Sequence, residues 1–326
     1  MTIDFTNCTQ LVNTYEGADF KRKVIYDGSV YMLKFGQKLE SDEKKPLQAS
    51  YSSAPVSEYL GSHIYEIAGL PVQETLLGTY NGKVVVACRD FIENLPDAQN
   101  YELIEFKKLE NSFLDSSTAG GRTPLYDNLI AVFANHDALH DIRAEAENRY
   151  WKMFTVDALI GNFDRHTGNW GYILNKAENR IVGLAPVYDC GSCLYPQLNE
   201  NAMEELLADR ESFENRTMTF PTAEGTKARA ALGELLPKID FEQITSLIAQ
   251  TPYLSDTRRE FYTRMVELRR DMILQPAYEL FLEERKLEKE SNVPDKRVTL
   301  KNEAQSATTA SMGLSSRYCE THNRDL

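Results

Sequence analysis

The sequence predicts an α+β fold of two lobes, a β-rich N-terminal lobe with one helix followed by a mainly α-helical C-terminal lobe. Two observations predict it. Asp27-Gly28 and Asn81-Gly82 each separate two β-rich runs, a strong hairpin signal, and both lie before residue 91. Beyond Phe91 apolar residues recur at helical spacing through most of the chain. A chain of 326 residues is long enough for two lobes with a cleft between them.

The elements follow in order. A short strand is expected near Ile3–Asn7, then strands Val24–Tyr26 and Ser29–Phe35 about Asp27-Gly28, whose residues favour the positive φ of a type I′ turn. Residues 36–52 are polar, with Lys38, Lys44, Lys45 and Pro46, and read as a loop. Val56, Tyr59, Leu60, His63, Ile64 and Ile67 make one apolar helical face; Ser53 suits its cap, Pro55 its first turn, and Gly69 and Pro71 close it. Strands Val72–Tyr80 and Lys83–Phe91 pair about Asn81-Gly82, giving the order β-β-β-α-β-β. Helices are expected near 99–116, 125–140 and 145–161, then two short strands, Trp170–Leu174 and Ile181–Leu184. Further helices lie near 200–209, 227–236 and 240–250, and a long one runs from about Asp256 to Lys289. The polar remainder, rich in Ser, Thr and Asn, has the composition of a disordered tail. The expected division is 1–91, 92–289 and a tail of 290–326.

A net charge of −13 argues against a broad nucleic-acid-binding face. No window approaches the length of a membrane-spanning apolar helix, so no membrane insertion is expected. The start, MTIDFTNCTQ, lacks the basic and apolar regions of a cleavable signal, and the five cysteines are odd in number and sparse. A cytoplasmic location is expected, with signal-independent export left open.

The chemistry concentrates in NFDRHTGNW, Asn162 to Trp170, where Asp164 and Asn169 stand five apart, and in PVYDCG, where Asp189 follows Asn169 by twenty residues. On a loop–strand–turn–strand–loop path these three converge at one mouth. Phosphoryl transfer from ATP needs such a set: one carboxylate orients the attacking hydroxyl, while an amide oxygen and a second carboxylate hold hard Mg²⁺ ions. Without metal each carboxylate would repel the triphosphate by about 4 kcal/mol per charge pair at ~4 Å and an effective dielectric near 20. Lys34, in the alternating strand YMLKF, is either a solvated strand lysine or a phosphate contact paired with Glu58 or Glu66 of the helix. Backbone along Val86, Ala87, Cys88, Arg89, Asp90 and Phe91, where the chain crosses to the second lobe, suits an adenine edge.

QETLLGTYNGKVVVAC, GNFDRHTGNWG and DCGSCLYP resemble the HipA-like serine/threonine kinases, most of all the smaller CtkA-type (cell-translocating kinase A) subgroup, from the N-terminus to roughly residue 275. The resemblance implies a two-lobed protein-kinase-like fold and transfer of the ATP γ-phosphate to a protein hydroxyl, with autophosphorylation. It implies Asp164 as the catalytic aspartate, Asn169 and Asp189 as magnesium ligands, Lys34 as the phosphate-contacting lysine and 86–91 as the adenine hinge. His166 falls in the same nucleotide site, where such a ring holds backbone rather than reacts. The chain departs from ordinary protein kinases in lacking a G-x-G-x-x-G loop, Gly17 standing alone in NTYEGADFKRK, and in lacking an Ala-Pro-Glu ending to the activation segment. Compared with full-length HipA it lacks the extra N-terminal subdomain, which puts a HipB-like antitoxin partner in doubt.

Blander readings stand beside these. Cys190-Gly-Ser-Cys193 lacks the strand–CxxC–helix context of a thioredoxin, which leaves oxidation-sensitive regulation as its functional reading. His136 and His140 at helical spacing are a thin second half for a zinc site. Arg258-Arg259 and Arg269-Arg270 read as solvated faces. The competing functions are a lipid or small-molecule kinase, which shares the D-R-H-x-x-N chemistry, and a nucleotide-binding pseudokinase scaffold; lipid vesicles against protein acceptors, and binding without turnover, separate them.

Overall fold

The computed structural model describes residues 3–15, 20–37, 52–114, 125–218 and 226–291. The polar loop beyond Gln37, Gly17 and the tail lie outside the described residues. The N-terminal half holds β1 (Ile3–Asp4), β2 (Thr9–Leu11), β3 (Lys21–Tyr26), β4 (Ser29–Phe35), α1 (Ala54–Ile67), β5 (Thr75–Tyr80) and β6 (Lys83–Arg89). The strands form one sheet in the order β1-β5-β6-β4-β3-β2, with β1 parallel to β5 and the other pairs antiparallel. Both predicted hairpins form with the left-handed backbone that Asx-Gly tolerates: φ is 46° and 74° at Asp27-Gly28, and 49° and 74° at Asn81-Gly82.

Three local expectations change. β2 was not expected: its three residues are exposed, and only their pairing with Lys23–Ile25 makes them a strand. The strand expected from Val72 begins at Thr75; Val72 instead bridges in parallel to Val187, and the Gln73 N–H donates to the Val187 carbonyl at 2.8 Å. Ser53 precedes α1, but its hydroxyl donates to the Pro196 carbonyl at 3.1 Å and does not cap the helix.

Side-chain alternation decides what the sheet presents on each face. Val86 and Cys88 join α1 residues Val56, Leu60 and Ile64 in the main core. Val85 and Ala87 point the other way, into a smaller cluster with Phe5, Val24, Tyr31, Leu33 and Tyr80. Lys34 lies opposite Val86 in register, on an interior strand rather than at an edge.

A second sheet, in the order β7-β8-β9, joins β7 (Tyr101–Glu105), β8 (Gly171–Asn175) and β9 (Arg180–Leu184). The helix expected near 99–116 is therefore a strand followed by α2 (Phe106–Phe113), because Tyr101–Glu105 finds its partner in β8, far along the chain. The helices α3 (Tyr126–Asn135), α4 (Arg143–Ile160), α5 (Glu200–Ala208), α6 (Arg210–Thr217), α7 (Thr226–Leu235), α8 (Phe241–Gln250) and α9 (Asp256–Arg269) supply the rest of the main core. α6 was not expected: RESFENRT is polar and buries only Phe213 and Thr217. The single long helix expected to Lys289 is interrupted by a π-helical turn, Arg270–Leu274, before α10 (Gln275–Ser291). The first compact unit ends at Tyr278, and a second begins at Glu279. Among the described residues no helix is long and apolar enough to cross a membrane.

Two arginines expected to be solvated are buried. Arg258 donates to Glu200, Ser53, Tyr262 and the Leu198 carbonyl, joining α9 to the residues that precede α1. Arg269 donates to the carbonyls of Ala158 and Thr217, because the ends of α4 and α6 bring unsatisfied carbonyls to it.

Candidate active site

The interior strand β4 carries Lys34 toward α1, and its ammonium donates to Glu58 Oε2 and to Asp189 Oδ1, each at 2.9 Å. Glu58, not Glu66, is the helix partner. Its side chain is almost wholly buried, and its second oxygen accepts the Cys190 N–H at 3.0 Å. Gly61, one turn later, makes this approach possible: a Cβ there would sit 2.6 Å from Cys190 Cβ. A glycine in mid-helix costs about 1 kcal/mol of propensity, and here it lets α1 close on the turn that follows Asp189.

Electrostatics fix the charge states. Burial works against the Lys34 ammonium, but the Asp189 and Glu58 carboxylates outweigh it and hold its pKa well above the usual value. The Lys34 charge, opposed by partial burial and aided by its hydrogen bond, lowers the Asp189 carboxyl to about 2. Asp189 itself has φ of 61°, a left-handed backbone that turns its side chain back toward Lys34.

Asp164 and Asn169 sit on the loop between α4 and β8. α4 ends at Gly161, with φ of 63°, and Asn162 turns back so that its side-chain oxygen accepts the Asp164 N–H at 3.3 Å. The Asp164 side chain is exposed, and one of its oxygens accepts the Ser192 hydroxyl at 3.4 Å. Asn169 is buried, and its Nδ2 donates to the Asp164 carbonyl at 2.8 Å, which leaves its amide oxygen as the group able to ligate a cation. His166 Nδ1 accepts the Gly168 N–H at 3.1 Å, so the ring shapes the loop. These polar residues are thus tied together: Asn169 to Asp164 within one loop, and Asp164 to the turn after Asp189 through Ser192.

The model of the HipA-like C-terminal domain matches residues 14–251, which include all of these groups. A relative, serine/threonine-protein kinase CtkA of Helicobacter pylori, is 35% identical over 301 residues, covering 85% of this chain and 88% of its own. The chain belongs to the HipA-like family of serine/threonine kinases. The crystal structure of a Helicobacter pylori proinflammatory kinase CtkA superposes on this HipA-like kinase with a TM-score of 0.77 at 32% identity, covering 87% of this chain and 98% of that one.

The residue of this HipA-like kinase that sequence reading passed over is Arg165. Its guanidinium donates from Nε to Asp157 Oδ2 at 2.9 Å and from Nη2 to Asp157 Oδ1 at 3.2 Å. Nη1 donates to the Asn169 carbonyl at 2.8 Å and to the Tyr188 carbonyl. One nitrogen thereby locks the residue bearing the amide to the residue before Asp189. Burial opposes the Arg165 charge, and Asp157 outweighs it, holding the pKa well above the ordinary value. The sequence signal was present: an arginine inside the loop and an acid, Asp157, on the last turns of the preceding helix. Only the fold shows that both are buried.

Within the expected adenine span 86–91, most of the backbone is paired within the protein. Val86, Ala87 and Cys88 lie inside a strand flanked by β4 and β5, so their backbone is committed on both sides and their side chains are fully buried. The Arg89 N–H donates to the Glu74 carbonyl, and the Arg89 carbonyl accepts from Gln73. The Asp90 N–H donates to the Val30 carbonyl; its own carbonyl accepts from Asn94, and its carboxylate from Tyr15, Ile92 and Glu93. Among these six described residues, Phe91 keeps its backbone outside such pairings, and its half-buried ring lies 5.9 Å from Tyr188.

Cys190 and Cys193 are free, buried thiols. Burial pushes Cys190 up to about 12, and Cys193 donates to the Ser57 carbonyl at 3.2 Å, so both act in packing the turn against α1. His136 accepts the Ala138 N–H and bonds Ser112, while His140 pairs with Asp141. Among the described residues no cluster of three or more His, Cys, Asp or Glu side chains is arranged to hold a metal by itself. Magnesium at a nucleotide site does not need one, since phosphate oxygens and water complete its shell.

Proposed function

We propose that this kinase transfers the γ-phosphoryl group of ATP, with magnesium, to a serine or threonine hydroxyl of a protein, its own chain included. The observation that carries the reading is the Lys34 ammonium held between Glu58 and Asp189 at 2.9 Å from each. A lysine fixed by two carboxylates at the inner face of a sheet is a charged group aimed at a polyanion, and the partly exposed Asp189 stays ionised. Residues 1–91 and 92–289 then act as the two lobes, with adenine at the Phe91 backbone.

Each side chain has a task. Asp164, exposed at the loop, accepts the acceptor hydroxyl's hydrogen bond and takes its proton as the oxygen–phosphorus bond forms and ADP leaves. The donor set fits a hard cation: the Asn169 amide oxygen, the half of the amide not engaged by the Asp164 carbonyl, and the Asp189 carboxylate. Magnesium held there supplies charge neutralisation of the phosphates. Glu58 orients Lys34 on the phosphates, and Arg165 keeps the Asn169 and Asp189 loops in register.

Radiolabelled ATP and magnesium with the wild type, Asp164→Ala and Asp189→Ala test the reading. Label on the wild-type chain that both substitutions abolish is expected. Undiminished labelling in both variants overturns the site.

A further inference from the structure

Phe163 immediately precedes Asp164, yet its ring is 48% exposed. It lies 5.8 Å from the Tyr195 ring, and the Arg269 guanidinium sits 5.8 Å from it. The chain spends backbone strain to bring Tyr195 there: Leu194 and Tyr195 both have left-handed backbone, with φ of 58° and 53°. The Leu194 N–H is anchored on the Ile160 carbonyl at 3.0 Å, and the Tyr195 hydroxyl donates to the Arg216 carbonyl at 2.6 Å. The exposed Arg216 guanidinium lies 5.4 Å from the Tyr195 ring. Buried Arg269 fixes the register by donating to the carbonyls of Ala158 on α4 and Thr217 on α6.

We infer that Phe163, Tyr195 and Arg216 form an acceptor ledge beside Asp164, selecting protein segments whose phosphorylated hydroxyl is flanked by an apolar and an acidic side chain. The inference rests on the proposed transfer to a protein hydroxyl. The exposed Phe163 ring offers apolar surface within one residue of the catalytic carboxylate. A guanidinium stacked on an aromatic ring keeps its edge donors free for a carboxylate. Glu214, the acid nearest along α6, is engaged by Arg210 at 2.6 Å, and among the described residues no carboxylate pairs with Arg216. A cation left open beside the site of a chain carrying net charge −13 marks the sign of the side chain it receives.

The test uses the full chain and synthetic peptides with one serine next to leucine or glycine, followed by three glutamates or three lysines. Label transfer from ATP gives kcat/KM for each. The net charge alone favours the lysine peptides. The ledge predicts a preference of about two- to fivefold for the glutamate peptides, the range of one exposed ion pair. Arg216→Glu should invert that preference, and Phe163→Ala should erase the advantage of leucine over glycine. A glutamate-to-lysine ratio that Arg216→Glu leaves unchanged overturns the ledge, as does a wild type that labels itself but neither peptide class. A wild type that transfers label to nothing refutes the kinase reading itself.

Discussion

Replacing Arg165 by methionine removes the tie between the Asn169 loop and the residue before Asp189, and strands a carboxylate. Asp157 is left with the Tyr65 hydroxyl at 2.7 Å and Asn162 Nδ2 at 3.0 Å, both neutral donors, and its side chain is 1% exposed. A buried charge deprived of its counter-ion costs about 3–5 kcal/mol, against about 5–15 kcal/mol for the stability of a typical domain. The variant should therefore fold but unfold at lower urea. Asp157→Asn in the same chain removes the stranded charge, so the double variant should be more stable than the sum of the single losses predicts, by about 1–3 kcal/mol. Activity should fall further than stability explains. The carbonyls of Asn169 and Tyr188 lose their shared donor, and a misplacement of about 1 Å at a reacting site costs roughly 100-fold in kcat/KM. Urea melts of the four chains at pH 7, with label transfer alongside, provide the assay. An Arg165→Met chain within about 1 kcal/mol of wild type, well short of the roughly 3–5 kcal/mol of a broken buried pair, would rule out this role for Arg165, as would strictly additive losses.

Three further outcomes are expected. The Asp189 pKa is depressed from 3.8 to about 2 by Lys34, so its contribution to stability is complete above the unfolded value and fades as pH falls through the folded one; urea melts between those limits should decline more steeply for wild type than for Asp189→Asn, and parallel curves would count against the pair. Gly61→Ala puts a Cβ 2.6 Å from Cys190 Cβ, so overpacking of about 1–3 kcal/mol should push α1 off the turn and lower both melting temperature and transfer rate; unchanged melting would show that the helix yields without strain. Lys34→Met leaves Glu58 buried without its cation and removes the proposed phosphate contact, so calorimetry should register weaker ATP binding, at least tenfold, the scale of losing a charge-assisted hydrogen bond.

The parts legible in the sequence were those with local causes. Asp27-Gly28 and Asn81-Gly82 dictate their turns by backbone sterics alone, and the apolar stripe of α1 needs only its own period. That Asp164, Asn169 and the residues about Asp189 meet was readable from the loop–strand–turn–strand–loop order. What escaped depends on distant partners. Tyr101–Glu105 has an ambiguous pattern until β8 completes it, and Thr9–Leu11 is a strand only against β3. Glu58 and Glu66 are alike on the helix; the approach permitted by Gly61 selects the first. The pairing of the 86–89 backbone was not legible because nothing local says that β6 is flanked on both sides. Arg258 and Arg269 looked solvated, and Arg165 drew no notice, because burial of an arginine is decided by acids and carbonyls elsewhere in the chain.

The most direct measurement is single-turnover label transfer by wild type and Asp164→Asn, with ATP affinity determined on the same preparations. The substitution keeps the shape of the side chain and removes its capacity to take a proton. A proton-accepting role for Asp164 predicts ATP binding unchanged within about threefold and a transfer rate lower by about 10²–10⁴-fold, the worth of a positioned proton acceptor. A transfer rate that persists in Asp164→Asn, or that falls only as far as ATP binding falls, would contradict it.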